Sequence, residues 1–158
     1  MVTNYFEEQK FKQKWVLFLQ FIVLILVLAV SSIMIFGERV NPAIGAAPLV
    51  FVVLIVIALR SSKLQTRITK DSISYRFLPF QVAFREIRKE DIQYLAVKTY
   101  DPIGDYGGWG IRIGGKGRAY STGGNKGLQI GLRSGKNLLL GTGRPAELEA
   151  FLRESGYL

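Results

Sequence analysis

An uncharged apolar run of 22 residues, Trp15 to Phe36, is followed after "GERVNP" by a second of 18, Pro42 to Leu59. Runs of this kind leave few folds open. Only Gln20, Ser31 and Ser32 are polar in the first. At ~1.5 Å rise per residue a helix of such length reaches across a hydrocarbon layer of about 30 Å. Water is absent there, so the backbone must satisfy its own hydrogen bonds, which a helix does. With at most six residues between them, the two helices form a tight antiparallel hairpin.

The local chemistry agrees. Asn41 is placed to cap the second helix, and Pro42 falls in its first turn, where a missing N–H costs nothing. Pro48 bends that helix. Ala43 and Ala47, with Gly45 and Ala46 between them, predict a close approach to the first helix near Ala29–Ser32. The first run is longer than the apolar part of a secretory signal and a second follows at once, so an uncleaved anchor is expected. Lys10, Lys12 and Lys14 precede the first helix and Arg60, Lys63, Arg67 and Lys70 follow the second, whereas the connection holds only Arg39. The positive-inside rule then sets both termini in the cytoplasm of a multi-pass protein of the cell (inner) membrane. Phe11 and Trp15 lie four apart, so residues 1–60 read as an N-terminal segment, either a short interfacial helix or a plain helix extension, plus the hairpin.

After Arg60 the period changes to two. "KLQTRIT" sets Leu64, Thr66 and Ile68 against Lys63, Gln65 and Arg67, and "SISYRFLP" sets Ile73, Tyr75 and Phe77 on one face after a Lys70-Asp71 turn. Phe84–Arg88 and Ile92–Tyr100 read as further strands about a Lys89–Asp91 turn. Residues 104–143 hold 14 of the 17 glycines, spaced between alternating runs. Those glycines predict the turns of a meander, with Gly110 and Gly131 at bulges or close crossings. "WGIRI" places Trp109 in the core with Ile111 and Ile113, the alternative being an exposed ligand anchor. "GLQIGLR" places Leu128, Ile130 and Leu132 inside, and Tyr100, Tyr106 and Tyr120 are expected to show a surface face. "RPAELEAFLRESGYL" predicts one C-terminal helix, opened by Pro145, stopped near Gly156, and burying Leu148, Phe151 and Leu152. Residues 61–158 therefore read as one β domain of about seven strands capped by a helix.

Composition removes whole classes of chemistry. There is no cysteine and no histidine, which excludes disulfides, thiolate zinc sites and Ser-His-Asp relays. "GLRSGKN" is one residue short of a phosphate loop and carries Asn137 where a hydroxyl is needed, and "GWGIRIG" leads into a strand rather than a helix. Asp101 and Asp105 offer carboxylates without a third acidic neighbour, so no metal and no cofactor is expected. Of the net charge of +9, residues 60–158 hold +8, from 17 basic and nine acidic residues. No nucleic-acid motif accompanies that charge.

The pieces "YGGWGIR", "AYSTGGNKGLQIGLRSGK" and "LLLGTGRPAEL", together with the order of strands and final helix, resemble small bacterial membrane proteins that carry a pleckstrin-homology-like (PH-like) domain, an uncharacterised group. The likeness covers Tyr106–Leu148, and "GTGRP" departs from it by reading Arg where Gln or Lys is usual. The resemblance implies an antiparallel sandwich or barrel plugged by its C-terminal helix, with loops at one end that bind lipid or protein segments, and it carries over no catalytic residue.

The expected class is thus an α+β membrane protein that is not an enzyme: a two-helix transmembrane hairpin followed by an antiparallel PH-like β-sandwich. Lys14, Arg60, Lys63, Arg67, Arg85 and Arg88 are the candidate contacts to anionic headgroups. Asp101, Asp105, Tyr106, Arg112 and Lys126 are the candidate partner loop, and Arg112, Lys116, Arg118, Lys126, Arg133 and Lys136 a second basic patch. The bilayer is one partner and a protein or a second copy another; nucleic acid is not. The competing expectation is a structural subunit of a larger, homo-oligomeric membrane assembly.

Overall fold

A computed structural model describes residues 4–11, 14–37 and 41–158, and the side chains of residues 14–17 and 42 are not described. The expectations for Lys12, Arg39 and the side chains of Lys14 and Trp15 lie outside the described residues. The chain divides into two units, residues 12–61 and residues 1–11 with 62–158.

The first unit is the helical hairpin, α1 (Lys14–Phe36) and α2 (Pro42–Ser61). Both helices are long and apolar enough to cross a membrane. Asn41 caps α2, its Oδ1 accepting from the N–H of Ala43 at 2.9 Å. The close approach runs over Gly45, where an added Cβ would lie 2.8 Å from Ile35 Cγ1. Ala43 and Ala47 instead face outward. The correction is geometric: two residues on a helix turn through about 200°, so neighbours two away from Gly45 sit on the opposite side.

Among the described residues the second unit holds nine strands in two sheets, where the sequence predicts about seven. β1 (Tyr5–Lys10), β2 (Lys63–Ile68), β3 (Ser72–Leu78) and β4 (Gln81–Arg88) form an antiparallel sheet in that order. A 3₁₀ turn, Lys89–Asp91, leads to the second sheet, β5 (Ile92–Thr99), β6 (Gly110–Gly114), β7 (Gly117–Ser121), β8 (Lys126–Leu132) and β9 (Asn137–Gly141). Its order is β5-β8-β9-β7-β6, and β7 pairs with β9 in parallel. The glycine-rich stretch therefore folds a mixed sheet and not a plain meander. α3 (Pro102–Tyr106) bridges β5 and β6, and α4 (Pro145–Glu154) closes the chain.

The residues before the helices are not an interfacial helix: Tyr5–Lys10 is a strand. Tyr5 faces Ile68 and Lys10 faces Lys63, so the two strands that flank the hairpin in sequence are hydrogen-bonded neighbours. Glu7 points inward and is only 4% exposed. Its carboxylate accepts from Tyr5 Oη (2.7 Å), Thr142 Oγ1 (2.8 Å) and the N–H of Gly143 (2.7 Å). A buried charge is tolerable only with such partners.

The core lies between the sheets. Leu64, Ile68, Ile73, Phe77, Leu128 and Ile130 are buried there, and α4 adds Leu148, Phe151 and Leu152. Each such side chain contributes about 1.5–3 kcal/mol. Gly156, at φ 68°, ends the helix.

Candidate functional site

Three places gather the residues that sequence picks out. The first is the loop of Asp101–Gly108. Asp101 caps α3, its Oδ1 accepting from Ile103 N–H at 3.0 Å, and Gly107 closes the helix at φ 70°. Asp105 accepts from Lys116 Nζ at 2.6 Å and from Asp101 N–H at 3.2 Å. Lys116 first, then that backbone N–H, holds the Asp105 carboxyl below its usual range. Tyr106 is buried, its ring 6.0 Å from Tyr100 and nearly perpendicular to it, over Ala119 and Leu139. Burial pushes the hydroxyls of both tyrosines up. Arg112 Nε donates to Trp109 O at 3.0 Å, and Lys126 Nζ to Thr99 Oγ1. Tyr100, Tyr106 and Tyr120 are thus interior, not surface, residues. The loop's polar atoms hold the loop itself.

The expected headgroup contacts are dispersed. Arg60 lies in the last turn of α2. In the first sheet, register sets Lys63 opposite Leu78, Arg67 opposite Ser74, Arg85 opposite Tyr75 and Arg88 opposite Ser72. Strand alternation turns Arg67 to the face opposite the core, where it and Arg76 lie 5.3 and 4.4 Å over the ring of Phe84. On that face Gln65 Nε2 donates to Glu8 at 2.6 Å and Arg76 Nε donates to Gln65 Oε1 at 2.6 Å. Lys63 pairs with Glu8 at 3.4 Å and Arg88 with Glu90 at 3.3 Å. Only Arg85 turns to the side of Tyr75 and Ile87.

Arg85 there meets the third place, a groove of ≈270 Å³ lined by Phe80, Gln81, Arg85, Ile111, Ile113, Arg118 and Tyr120. It lies between β4 and β6, each the edge of its sheet. The expected core position of Ile111 and Ile113 is overturned: Ile113 is 77% and Phe80 62% exposed. An edge strand has no neighbour to cover that face. Trp109 instead donates from Nε1 to Gly124 O at 2.8 Å. Among the described residues neither Arg85 nor Arg118 has a carboxylate within 4.0 Å. Tyr75 and Tyr120 pair beneath them, ring centres 4.9 Å apart. Burial, then the neighbouring Tyr120, pushes the Tyr75 hydroxyl up, and Arg85 partly offsets this. That phenol stays protonated at neutral pH. A wider cleft of ≈480 Å³ at Asp71, Ser72, Glu86, Arg88, Lys89 and Glu90 mixes both charge signs and has its arginine already paired.

The groove's chemistry is two guanidiniums without a carboxylate partner, one of them beside the Tyr75 hydroxyl, between apolar walls, suited to an anionic amphiphile. Arg118 stood out in sequence as part of a basic patch; Phe80, a turn residue after proline, did not. No protein-family model matches the chain, and no curated protein matches it. Among the described residues no group of three or more His, Cys, Asp or Glu is placed to hold a metal.

Proposed function

We propose that the protein is a membrane-anchored, non-enzymatic binding module. The α1–α2 hairpin crosses the cell (inner) membrane, its two flanks lie in the cytoplasm, and a PH-like β unit meets anionic headgroups or a protein partner. The observation that carries this reading is the pairing of β1 with β2 along six residue pairs on either side of the hairpin. Paired strands occupy one compartment, so a membrane crossed by α1 must be crossed back by α2. The basic excess on that side agrees with the positive-inside rule.

The four-stranded antiparallel sheet and the helix that plugs the core support the PH-like description; the parallel β7–β9 pair departs from it. A binding role is favoured over catalysis because Glu7, Asp101 and Asp105 already accept hydrogen bonds that hold the fold. Anchoring raises the effective concentration of every weak surface contact, so modest groups suffice.

A photo-crosslinker at Ile111 in native membranes tests this. Adducts to phospholipid or to a protein of other sequence support it. Adducts to a second copy alone favour the oligomeric subunit. Labelling no greater than from the same probe at Lys70 overturns the binding reading.

A further inference from the structure

Register sets one end of the β unit apart. Lys10 and Lys63 form the last pair of β1 and β2, and Leu78 of β3 lies beside Lys63. From this end the chain departs to the helices. Only residues 11–13 separate β1 from α1, and only Ser62 separates α2 from β2. Three extended residues span at most about 10 Å. A hairpin that crosses a bilayer therefore keeps this end of the sheet within about 10 Å of the hydrocarbon boundary.

The same end carries apolar side chains that a soluble surface has no use for. The turn after Leu78 presents Phe80, 62% exposed, and Val82, 66% exposed. Phe80 leans one side on Phe77, ring centres 6.5 Å apart, and leaves the other free. Across the groove the β6–β7 hairpin adds Ile113. Arg85 and Arg118 line that groove with Phe80 and Ile113, and Lys63 and Lys10 share the single carboxylate Glu8. An exposed apolar cluster ringed by cations is the composition of a surface that enters an anionic interface.

We propose that the β3–β4 turn and the β6–β7 hairpin form an apolar tip, ringed by Arg85 and Arg118, that seats in the anionic leaflet of the membrane crossed by α1 and α2. This rests on the membrane-anchored reading and names its ligand. Phe80, Val82 and Ile113 enter among the acyl chains, and the two guanidiniums bind phosphate oxygens. Each arginine near an anionic surface multiplies the seated fraction over the lifted one about fivefold, so the pair contributes about 30-fold.

The chain has no cysteine, so single cysteines report cleanly. Phe80→Cys, Ile113→Cys, Lys70→Cys and Leu26→Cys are each labelled with a polarity-sensitive fluorophore in the full chain. Each is reconstituted in phosphatidylcholine vesicles with or without phosphatidylglycerol. Lys70 lies past Ile68, the far end of β2, which is itself five residue steps or about 17 Å from Lys63. In anionic vesicles the labels at positions 80 and 113 are expected to shift to the blue and be quenched by lipid-borne quenchers, while that at position 70 reports water. Arg85→Gln with Arg118→Gln is expected to lower the seated ratio about 30-fold. Water-like emission at 80 and 113 with a hydrocarbon signal at 26 overturns the tip alone. Water-like emission at 26 overturns the anchored reading itself. Equal immersion in neutral vesicles overturns the assignment of the arginines.

Discussion

Glu7 helps hold β1 to the far end of the chain, beside Gln9 on Gly141 O and Arg144 on Phe6 O, and its removal has a calculable effect. Its two carboxylate oxygens take three hydrogen bonds, from Tyr5 Oη, Thr142 Oγ1 and Gly143 N–H. Glu7→Ala leaves those donors facing a void, at about 1–3 kcal/mol for each buried group that finds no replacement. Tyr5 and Thr142 hydroxyls can rotate, but the Gly143 N–H cannot. A net loss of about 3 kcal/mol is expected, and it falls on β1, an edge strand with one neighbour. Amide exchange of Tyr5–Lys10 then accelerates about 150-fold, since each 1.4 kcal/mol is about tenfold. Glu7→Gln keeps the shape and one acceptor for Gly143, and its NH₂ can donate to the two hydroxyls. It trades charged for neutral bonds and costs about 1 kcal/mol. Hydrogen exchange by mass spectrometry on both variants in detergent measures this. Exchange of β1 in Glu7→Ala as slow as in the wild type, or a Gln variant as damaged as the Ala one, refutes the latch.

Gly131 lies under the ring of Tyr94, which an added Cβ would overlap; Gly131→Ala is expected to cost about 1–3 kcal/mol in thermal unfolding. Tyr94→Ala in the same chain should recover at least about 1 kcal/mol as a coupling term. Gly117 sits at φ 109° against the backbone of Asn137, so Gly117→Ala should lower the melting temperature further than Gly131→Ala, because backbone cannot swing aside as a ring can. Leu152 is fully buried, and Leu152→Ala should destabilise by about 2–5 kcal/mol. The Asp105 carboxyl titrates low because of Lys116. Its ion pair is therefore complete above the usual carboxylate pKa of about 4 and is lost as pH falls through the depressed value. A carboxyl carbon NMR titration should show that low midpoint, and Lys116→Met should return it toward the usual range.

Sequence made some of this legible and hid the rest for identifiable reasons. The hairpin and strands β2 and β3 are readable because their inward positions, Leu64, Thr66 and Ile68, then Ile73, Tyr75 and Phe77, alternate without a charge. β1 is hidden by Glu7, which puts a charge where alternation demands an apolar residue; two of its three partners, Thr142 and Gly143, lie more than 130 residues away. β6 alternates cleanly, but alternation cannot say which sheet edge a strand occupies, so Ile111 and Ile113 look like core. The parallel β7–β9 pair is a non-local register with no signature in either strand. The basic residues are visible as charges, yet their grouping depends on which face each strand presents. Arg67 and Arg85 look adjacent in composition and lie on opposite faces. Phe80 joins the groove only because two sheet edges meet beside it.

The central claim, that α1 and α2 cross a membrane and return the chain to the side it left, is tested most directly by sidedness. Single cysteines at Gly37, Phe6 and Ser134 are probed with a membrane-impermeant maleimide in right-side-out and inverted vesicles. The account predicts that Gly37 reacts only from outside and that Phe6 and Ser134 react only from the cytoplasmic side. Reaction of Gly37 and Ser134 from the same side would contradict it.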